Sequence, residues 1–269
     1  MDQYQSIHFK GFQLKILKKA DIQEDFLEKC CRTDPENDPD FTVVASSECS
    51  RVYHFKFKKN KYFYKLFCHR NFLEPIKGLF RGTRPERALR GDLILKRCGF
   101  KTPGCYIIGR KNRIHFSVAE AIVPAKDLIQ FAAEKFYSNL NYDSILLKRK
   151  LAKTLGKVVG KLHAEGVYHG DLRWGNLLIE MESPDSFAIW FLDNERTARF
   201  KKIPEKKRII NLVQMNMILA PAITVTDRMR FLDSYFHENP ELVSEKKRIA
   251  AIVNHKTLER LRKRNTKRN

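Results

Sequence analysis

No run of apolar residues in this 269-residue chain approaches the roughly 18–20 needed to cross a bilayer. The nearest stretch, residues 215–225, is short and broken by Asn216 and Pro221. The opening residues MDQYQSIHFKGFQLKILKK hold no apolar segment followed by small residues, so no secretory signal is expected there. The six cysteines form no C-x-x-C pair, and none stands at zinc-finger spacing from a histidine. Reduced, mostly buried thiols in the cytoplasm are the expectation. Acid is in deficit: 31 Asp and Glu face 52 Lys and Arg, giving a net charge of +21 and a pI near 9.8. Such a chain is drawn to polyanions, whether nucleic acid, an anionic membrane surface or a phosphorylated substrate. The hydrophobic fraction of 43% excludes wholesale disorder. The length suffices for one large domain or two lobes.

The first 25 residues scatter apolar positions among lysines and predict a short strand or amphipathic piece. Residues 33–40, TDPENDPD, read as a surface loop. Residues 51–57 then alternate, with Val52, His54 and Lys56 on one face and Tyr53, Phe55 and Phe57 on the other. With a turn around Asn60 and a second aromatic run at 62–67, this predicts a β-hairpin. Pro85 fits a first helical turn, and residues 86–97 follow as a helix ended by Gly99 and Pro103. Strands are expected at 105–108 and 116–123, with a turn at 110–113. From 144 to 165 the period changes: Leu151, Leu155, Val158 and Leu162 mark an amphipathic helix closed by Gly166. Short apolar strands at 177–179 and 189–192 flank a turn at Ser183, Pro184 and Asp185, and the chain from about 206 reads as helical. The expected class is α+β. A lobe of residues 1–123, sheet-rich with one helix, precedes a mainly helical lobe of residues 124–269.

The sharpest signal is His169-Gly170-Asp171-Leu172-Arg173-Trp174-Gly175-Asn176, directly after the long helix and before an apolar strand. A second, Phe191-Leu192-Asp193-Asn194-Glu195, ends the next strand. Phosphoryl transfer needs a carboxylate to orient a hydroxyl and take its proton, and hard oxygen ligands for magnesium. An Asp and an Asn five apart on one loop, with a second Asp on a neighbouring strand end, can divide those tasks. His169 reads as a loop-holding hydrogen-bond partner rather than a proton carrier.

This string resembles the catalytic loop of the protein-kinase superfamily, in the H-G-D form found in small-molecule kinases. The resemblance implies a two-lobe fold with a small antiparallel sheet, and ATP and Mg2+ as cofactors. It makes Asp171 the base and Asn176 and Asp193 the metal ligands, and sets Arg173 against the transferred phosphate. Lys65, on the second aromatic strand, stands where the phosphate-contacting lysine is expected, with Glu86 as its ion-pair partner. Glu120 and Ile122 fall in the hinge segment whose backbone meets adenine. The triplet here is D-N-E rather than D-F-G, which argues against a switchable activation loop. Residues 46–52 carry no glycine, so the phosphate-covering loop would rest on Ser47, Ser50 and backbone donors.

Further patches, R-G-T-R-P-E-R-A-L-R at 81–90, G-F-K-T-P at 99–103, R-I-I-N-L-V-Q at 208–214 and T-D-R-M-R-F-L at 226–232, resemble the bacterial lipopolysaccharide core kinases. That family phosphorylates Kdo or heptose of the inner core. The implied partners are a lipid A-linked sugar acceptor and an anionic membrane surface, with the enzyme peripheral on the cytoplasmic face of the inner membrane. The basic C-terminus, 257–269, suits lipid headgroups; it lacks the interleaved aromatics of nucleic-acid stacking platforms, and nucleic acid is not expected as a partner. A kinase acting on another small molecule or a protein, and a non-catalytic pseudokinase, stay open as alternatives. Arg208, Asn211, Asp227 and Arg230 read equally well as the salt-bridged interior of the second lobe.

Overall fold

The computed structural model describes residues 3–20, 22–31, 35–47, 50–68, 81–137, 141–183, 186–218 and 223–266. The glycine-free loop at Glu48 and Cys49, the Pro184–Asp185 turn and the last three residues lie outside them. The chain divides into two units, residues 1–90 with 103–122, and residues 91–102 with 123–269.

The first unit is built on strands β1 (Tyr4–Phe9) and β2 (Phe12–Leu17), helix α1 (Glu24–Cys30), and strands β3 (Phe41–Ser47), β4 (Ser50–Phe57) and β5 (Asn60–Phe67). Helix α2 (Arg84–Arg97) and strands β6 (Cys105–Lys111) and β7 (Ile114–Glu120) complete it. The strands form one seven-stranded antiparallel sheet in the order β1-β2-β6-β7-β5-β4-β3. The predicted hairpin is β4–β5, and its alternation holds: Tyr53 and Phe55 are buried while His54 and Lys56 face water. The opening segment, expected as one short strand or amphipathic piece, is a hairpin turned at Lys10-Gly11. It adds to the sheet through β2 against β6. Phe12, Leu14 and Ile16 alternate inward from β2 to meet Tyr64, Phe116 and Ile107 in the core.

The second unit takes the C-terminal end of α2 at Gly91. Next come β8 (Ala125–Asp127), α3 (Leu128–Phe136), α4 (Tyr142–Ala164), β9 (Val167–Tyr168), β10 (Leu177–Ser183), β11 (Ser186–Phe191) and β12 (Ala198–Arg199). Helices α5 (Glu205–Asn216), α6 (Val225–His237) and α7 (Lys246–Asn265) close the chain. Segment 91–102 groups here rather than with the first lobe. Phe100 packs edge-on against Phe191 at 5.7 Å, and Lys101 bridges to Trp190. Helix α4 carries Leu151, Leu155, Val159 and Leu162 on its buried face. The period read from the sequence holds except at Val158, which is half-buried and yields the interior place to Val159, and Asn141 caps the N-terminus through Ser144 N at 2.8 Å. Its main neighbour is α6, tied by a buried ion pair of Lys148 and Asp227 at 3.1 Å that Arg230 joins at 2.9 Å. Burial pushes the Asp227 carboxyl up, but hydrogen bonds from Thr224 and Lys148 hold it below its usual value. Removing one partner of such a set strands a buried charge.

Among the described residues of the first unit, two buried side-chain hydroxyls, those of Tyr53 and Tyr64, have no hydrogen-bond partner. The Tyr64 hydroxyl is buried with no hydrogen-bond partner, and burial pushes its phenol well above the usual range. An unpaired buried hydroxyl costs about 1–3 kcal/mol. Tyr64→Phe is therefore expected to leave stability unchanged or raise it by about 1 kcal/mol in urea unfolding. A loss of that size would show that the hydroxyl is bonded.

Candidate active site

Asp171 owes its position to what happens on either side of it. Gly170, one residue earlier, has φ +83°, and a Cβ there would come within 2.4 Å of Arg196 Cβ, so the loop turns only with glycine at this point. Two amide side chains on α5 then hold the loop from below. Gln214 Oε1 accepts from Leu172 N at 2.9 Å, and its Nε2 donates to Gly170 O at 3.3 Å. The peptide groups on both sides of Asp171 are thus gripped by one residue. Asn211 steadies that residue by donating to Gln214 Oε1 at 2.9 Å, while its own Oδ1 accepts from His169 N at 3.3 Å. Both amides are at most 5% exposed, and every hydrogen bond runs to a neutral group.

Beneath them, His163 Nε2 meets Asn211 Oδ1 at 3.3 Å and Nδ1 meets the Tyr235 hydroxyl at 2.9 Å. That hydroxyl also accepts from Arg208 at 3.0 Å, so it donates to Nδ1 and the imidazole is neutral with its proton on Nε2. Burial pulls the His163 pKa down to about 3. Arg208, Asn211 and Asp227 are therefore interior, while Arg230 joins Asp227 from a half-buried position.

His169 is fully buried and holds the loop from above. Its Nε2 donates to Asn194 Oδ1 at 2.8 Å, and Nδ1 accepts from Asp171 N at 3.4 Å. Burial lowers its pKa, in keeping with a structural role. Asn194 is the second residue of D-N-E. Its Nδ2 donates to Asp92 Oδ1 at 2.6 Å and to Phe191 O at 3.1 Å. A polar clamp thus stands where D-F-G would place a packed phenyl ring. It requires α2 to come close: a Cβ on Gly91 would lie 2.0 Å from Asn194 O. Asp193 itself sits in the left-handed region, φ 56° and ψ 50°, a strained conformation for a residue with a side chain.

Asn176 Nδ2 donates to Asp171 O at 2.8 Å, which leaves Oδ1 as its free ligating atom. With the Asp193 carboxylate this makes two hard oxygen donors, a set that suits magnesium, which keeps several waters when bound by protein. Among the described residues there is no cluster of three or more His, Cys, Asp or Glu of the kind a tightly caged metal would need. Arg173 is ion-paired to Asp171 Oδ2 at 2.5 Å, and this hydrogen bond raises its pKa. Trp174 anchors the turn by donating to Met215 O at 2.9 Å and lines a cavity of about 390 Å3 with Leu151, Leu155, Leu212 and Leu232.

In the first unit, Lys65 lies on β5 opposite Ser117 of β7, with its Nζ 5.2 Å from the Phe67 ring centroid. Glu86 is not its ion-pair partner. Glu86 Oε1 pairs with Lys15 of β2 at 2.5 Å, and Oε2 accepts from Thr83 N at 2.9 Å. Burial opposes ionisation of Glu86, yet the bonds from Lys15 and Thr83 bring its pKa down to about 2. The pairing was unreadable because β2 and its lysine were not placed in the sheet. Glu120 accepts from Gly104 N at 2.7 Å and donates its own N–H to Gly104 O at 3.0 Å, so its carboxylate fastens β6 to β7. Ile122 follows at the end of the unit.

Three residues of this machinery had no role in the sequence reading: Gln214, Asn194 as a clamp, and Asp92. The available signal was spacing. Arg208, Asn211 and Gln214 recur every three residues on the buried side of α5, where an ordinary amphipathic helix is apolar.

Residues 108–235 match the model of the lipopolysaccharide kinase (Kdo/WaaP) family, and the resemblance drawn from the shorter patches, of which 208–214 and 226–232 lie in that stretch, is borne out there. The stretch holds Asp171, Asn176 and Asp193 but neither Lys65 nor Glu86. The lipopolysaccharide core heptose(I) kinase WaaP of Pseudomonas aeruginosa is 28% identical over 125 residues, 45% of this chain and 46% of that protein. The chain thus matches about half the length of this curated relative. A solved structure of WaaP in complex with acyl carrier protein superposes with a TM-score of 0.62 at 23% identity, over 88% of this chain and 97% of that one. The fold is accordingly protein-kinase-like. No helix among the described residues is long and apolar enough to cross a membrane.

Two outcomes are expected. Gln214→Leu leaves Leu172 N and Gly170 O without partners and should cost about 1–3 kcal/mol in urea unfolding, with loss of hydrogen-exchange protection at the Leu172 amide. Wild-type protection in that variant would remove Gln214 from the clamp. Separately, His163 is neutral when folded, whereas the unfolded chain takes up a proton below about pH 6.5. Unfolding free energy should therefore be full above that pH and fall as pH drops toward 3, by up to about 1.4 kcal/mol per unit. His163→Gln should flatten that slope, and an unaltered slope would assign it to other groups.

Proposed function

We propose that this chain is a magnesium- and ATP-dependent kinase that phosphorylates a sugar hydroxyl of the lipopolysaccharide inner core. The observation that carries the reading is the double grip on Asp171: one neutral amide holds the peptide groups before and after it, leaving its carboxylate as the working group. In this reading Asp171 orients the acceptor hydroxyl and takes its proton. The new O–P bond forms to the γ-phosphorus as the bond to the ADP oxygen breaks. Asn176 and Asp193 would hold the magnesium ion, which supplies charge neutralisation on the phosphates. Arg173, resting on Asp171, is positioned to exchange that carboxylate for the transferred phosphate. The roles of Lys65 toward the phosphates, and of the Glu120 and Ile122 backbone toward adenine, rest on the resemblance. Glu86 is left with a structural part, since Lys15 and Thr83 occupy it.

The family match supports a lipopolysaccharide sugar as acceptor, and Kdo and heptose are the two sugars to try first. A charge of +21 with a basic exposed end to α7 supports contact with the anionic cytoplasmic face of the inner membrane. The pseudokinase alternative drew on the glycine-free segment at 46–52 and on the D-N-E triplet. The Asn194 clamp accounts for that triplet by structure, which favours the catalytic reading.

Transfer of label from γ-labelled ATP to purified lipid A–core acceptor tests the proposal. Asp171→Asn should lower the rate by roughly 10²–10⁴-fold without changing the fold. Near-normal transfer by that variant would refute the role of Asp171. Absence of any thermal shift with ATP and magnesium would favour the pseudokinase.

A further inference from the structure

The stretch that follows Asp193 is short, rigid and basic. A single 3-10 turn, Asn194–Arg196, leads into β12, which pairs with β9 through Ala198 opposite Tyr168 and Arg199 opposite Val167. Phe200 N donates to Gly166 O at 2.9 Å, Ile203 is buried, and α5 begins at Glu205. No room is left for the switchable segment that the sequence already argued against. Residues 196–207 carry six cations, Arg196, Arg199, Lys201, Lys202, Lys206 and Lys207, and one acid, Glu205. That acid is bound by Arg248 at 2.8 Å, and Arg199 is bound by Glu165 at 3.0 Å.

Two of the remaining cations are held against the segment that leads into Asp171, Arg196 at Gly170 and Lys207 at Tyr168. Arg196 is exposed, its Cβ lies against Gly170, the neighbour of Asp171, and no described carboxylate pairs with it. Lys207 is half-buried, with its Nζ 4.4 Å from the Tyr168 ring centroid and 5.3 Å from that of Phe200. Aromatic faces hold an ammonium in place without neutralising it, so its charge stays available. Tyr168 lies three residues before Asp171. Burial raises its phenol; the Arg196 charge opposes this and the Asp171 charge adds to it, so all three groups share one electrostatic neighbourhood. An acceptor with a negative group close to its reacting hydroxyl would be repelled by Asp171 and Asp193 unless cations met that group.

We propose that Arg196 and Lys207 form an anion-binding subsite beside Asp171 that receives a carboxylate or phosphate carried by the acceptor sugar. The inference rests on the kinase reading for the identity of the acceptor, while the subsite itself is a matter of binding. Arg196 supplies a planar fork suited to two oxygens, and Lys207 a point charge presented over two rings. They are specificity-determining residues rather than catalytic ones.

Titration calorimetry on the full chain tests this with four probes: free Kdo, its methyl ester, glucose 1-phosphate and glucose. The wild type should bind Kdo, the sugar phosphate or both about tenfold more tightly than the uncharged counterpart, and the arm that responds names the anion. Arg196→Ala and Lys207→Met, the latter keeping an apolar stem against both rings, should each abolish that preference. The thermal shift with ATP and magnesium should stay at the wild-type value in both. In phosphate transfer to lipid A–core, the same variants should raise the acceptor KM about tenfold and leave the KM for ATP alone. Equal binding of charged and uncharged probes by the wild type, or an unchanged preference in both variants, would overturn the subsite. Transfer that proceeds with an unaltered acceptor KM in the variants would overturn it while the kinase reading stands. Arg196-dependent binding of an acidic sugar without any transfer would keep the subsite and sink the kinase reading.

Discussion

The grip of Gln214 on the peptide groups either side of Asp171 is the interaction on which the second unit's site depends. A loop of this kind cannot satisfy its own backbone groups, and each one left bare inside the protein is expensive. Helix α5 satisfies them with neutral amides rather than a charge. Asn211 then couples the grip to His169 above and His163 below, and His163 to Tyr235 and Arg208. The network works only if His163 stays neutral, and burial ensures that across the ordinary pH range. Cooperative networks of this sort rigidify when complete and fail when any member is lost.

The same logic accounts for the departure from D-F-G. A phenyl ring would fix the preceding Asp by packing, whereas Asn194 fixes Asp193 by four polar contacts, to His169, Asp92, Phe191 and, through its backbone oxygen, Thr197. Polar contacts are directional and tolerate little sliding. Together with the β9–β12 pairing they make the segment after Asp193 a fixed ledge, and its unneutralised cations turn that ledge toward anionic partners.

Local strings carried most of what could be foreseen. His169 to Asn176 announced the loop because the required residues lie within eight positions. The 144–165 helix and the β4–β5 hairpin were legible from periods of 3.6 and 2. What escaped was non-local. The alternation of Phe12, Leu14 and Ile16 was visible, but nothing nearby says that β2 pairs with β6 some hundred residues on. Glu86 was consequently assigned to Lys65, when the lysine that reaches it is Lys15 on that unplaced strand. Segment 91–102 looked like the tail of a first-lobe helix, yet its contacts with Asn194, Phe191 and Trp190 join it to the second unit.

The central claim is that Asp171, so held, directs a phosphoryl group onto a core sugar. Phosphorus-31 NMR of purified lipid A–core glycolipid, incubated with the protein, ATP and magnesium, reads this directly. A new sugar phosphomonoester resonance growing in step with ADP is the predicted result. ADP appearing with inorganic phosphate and no new phosphomonoester would contradict the account.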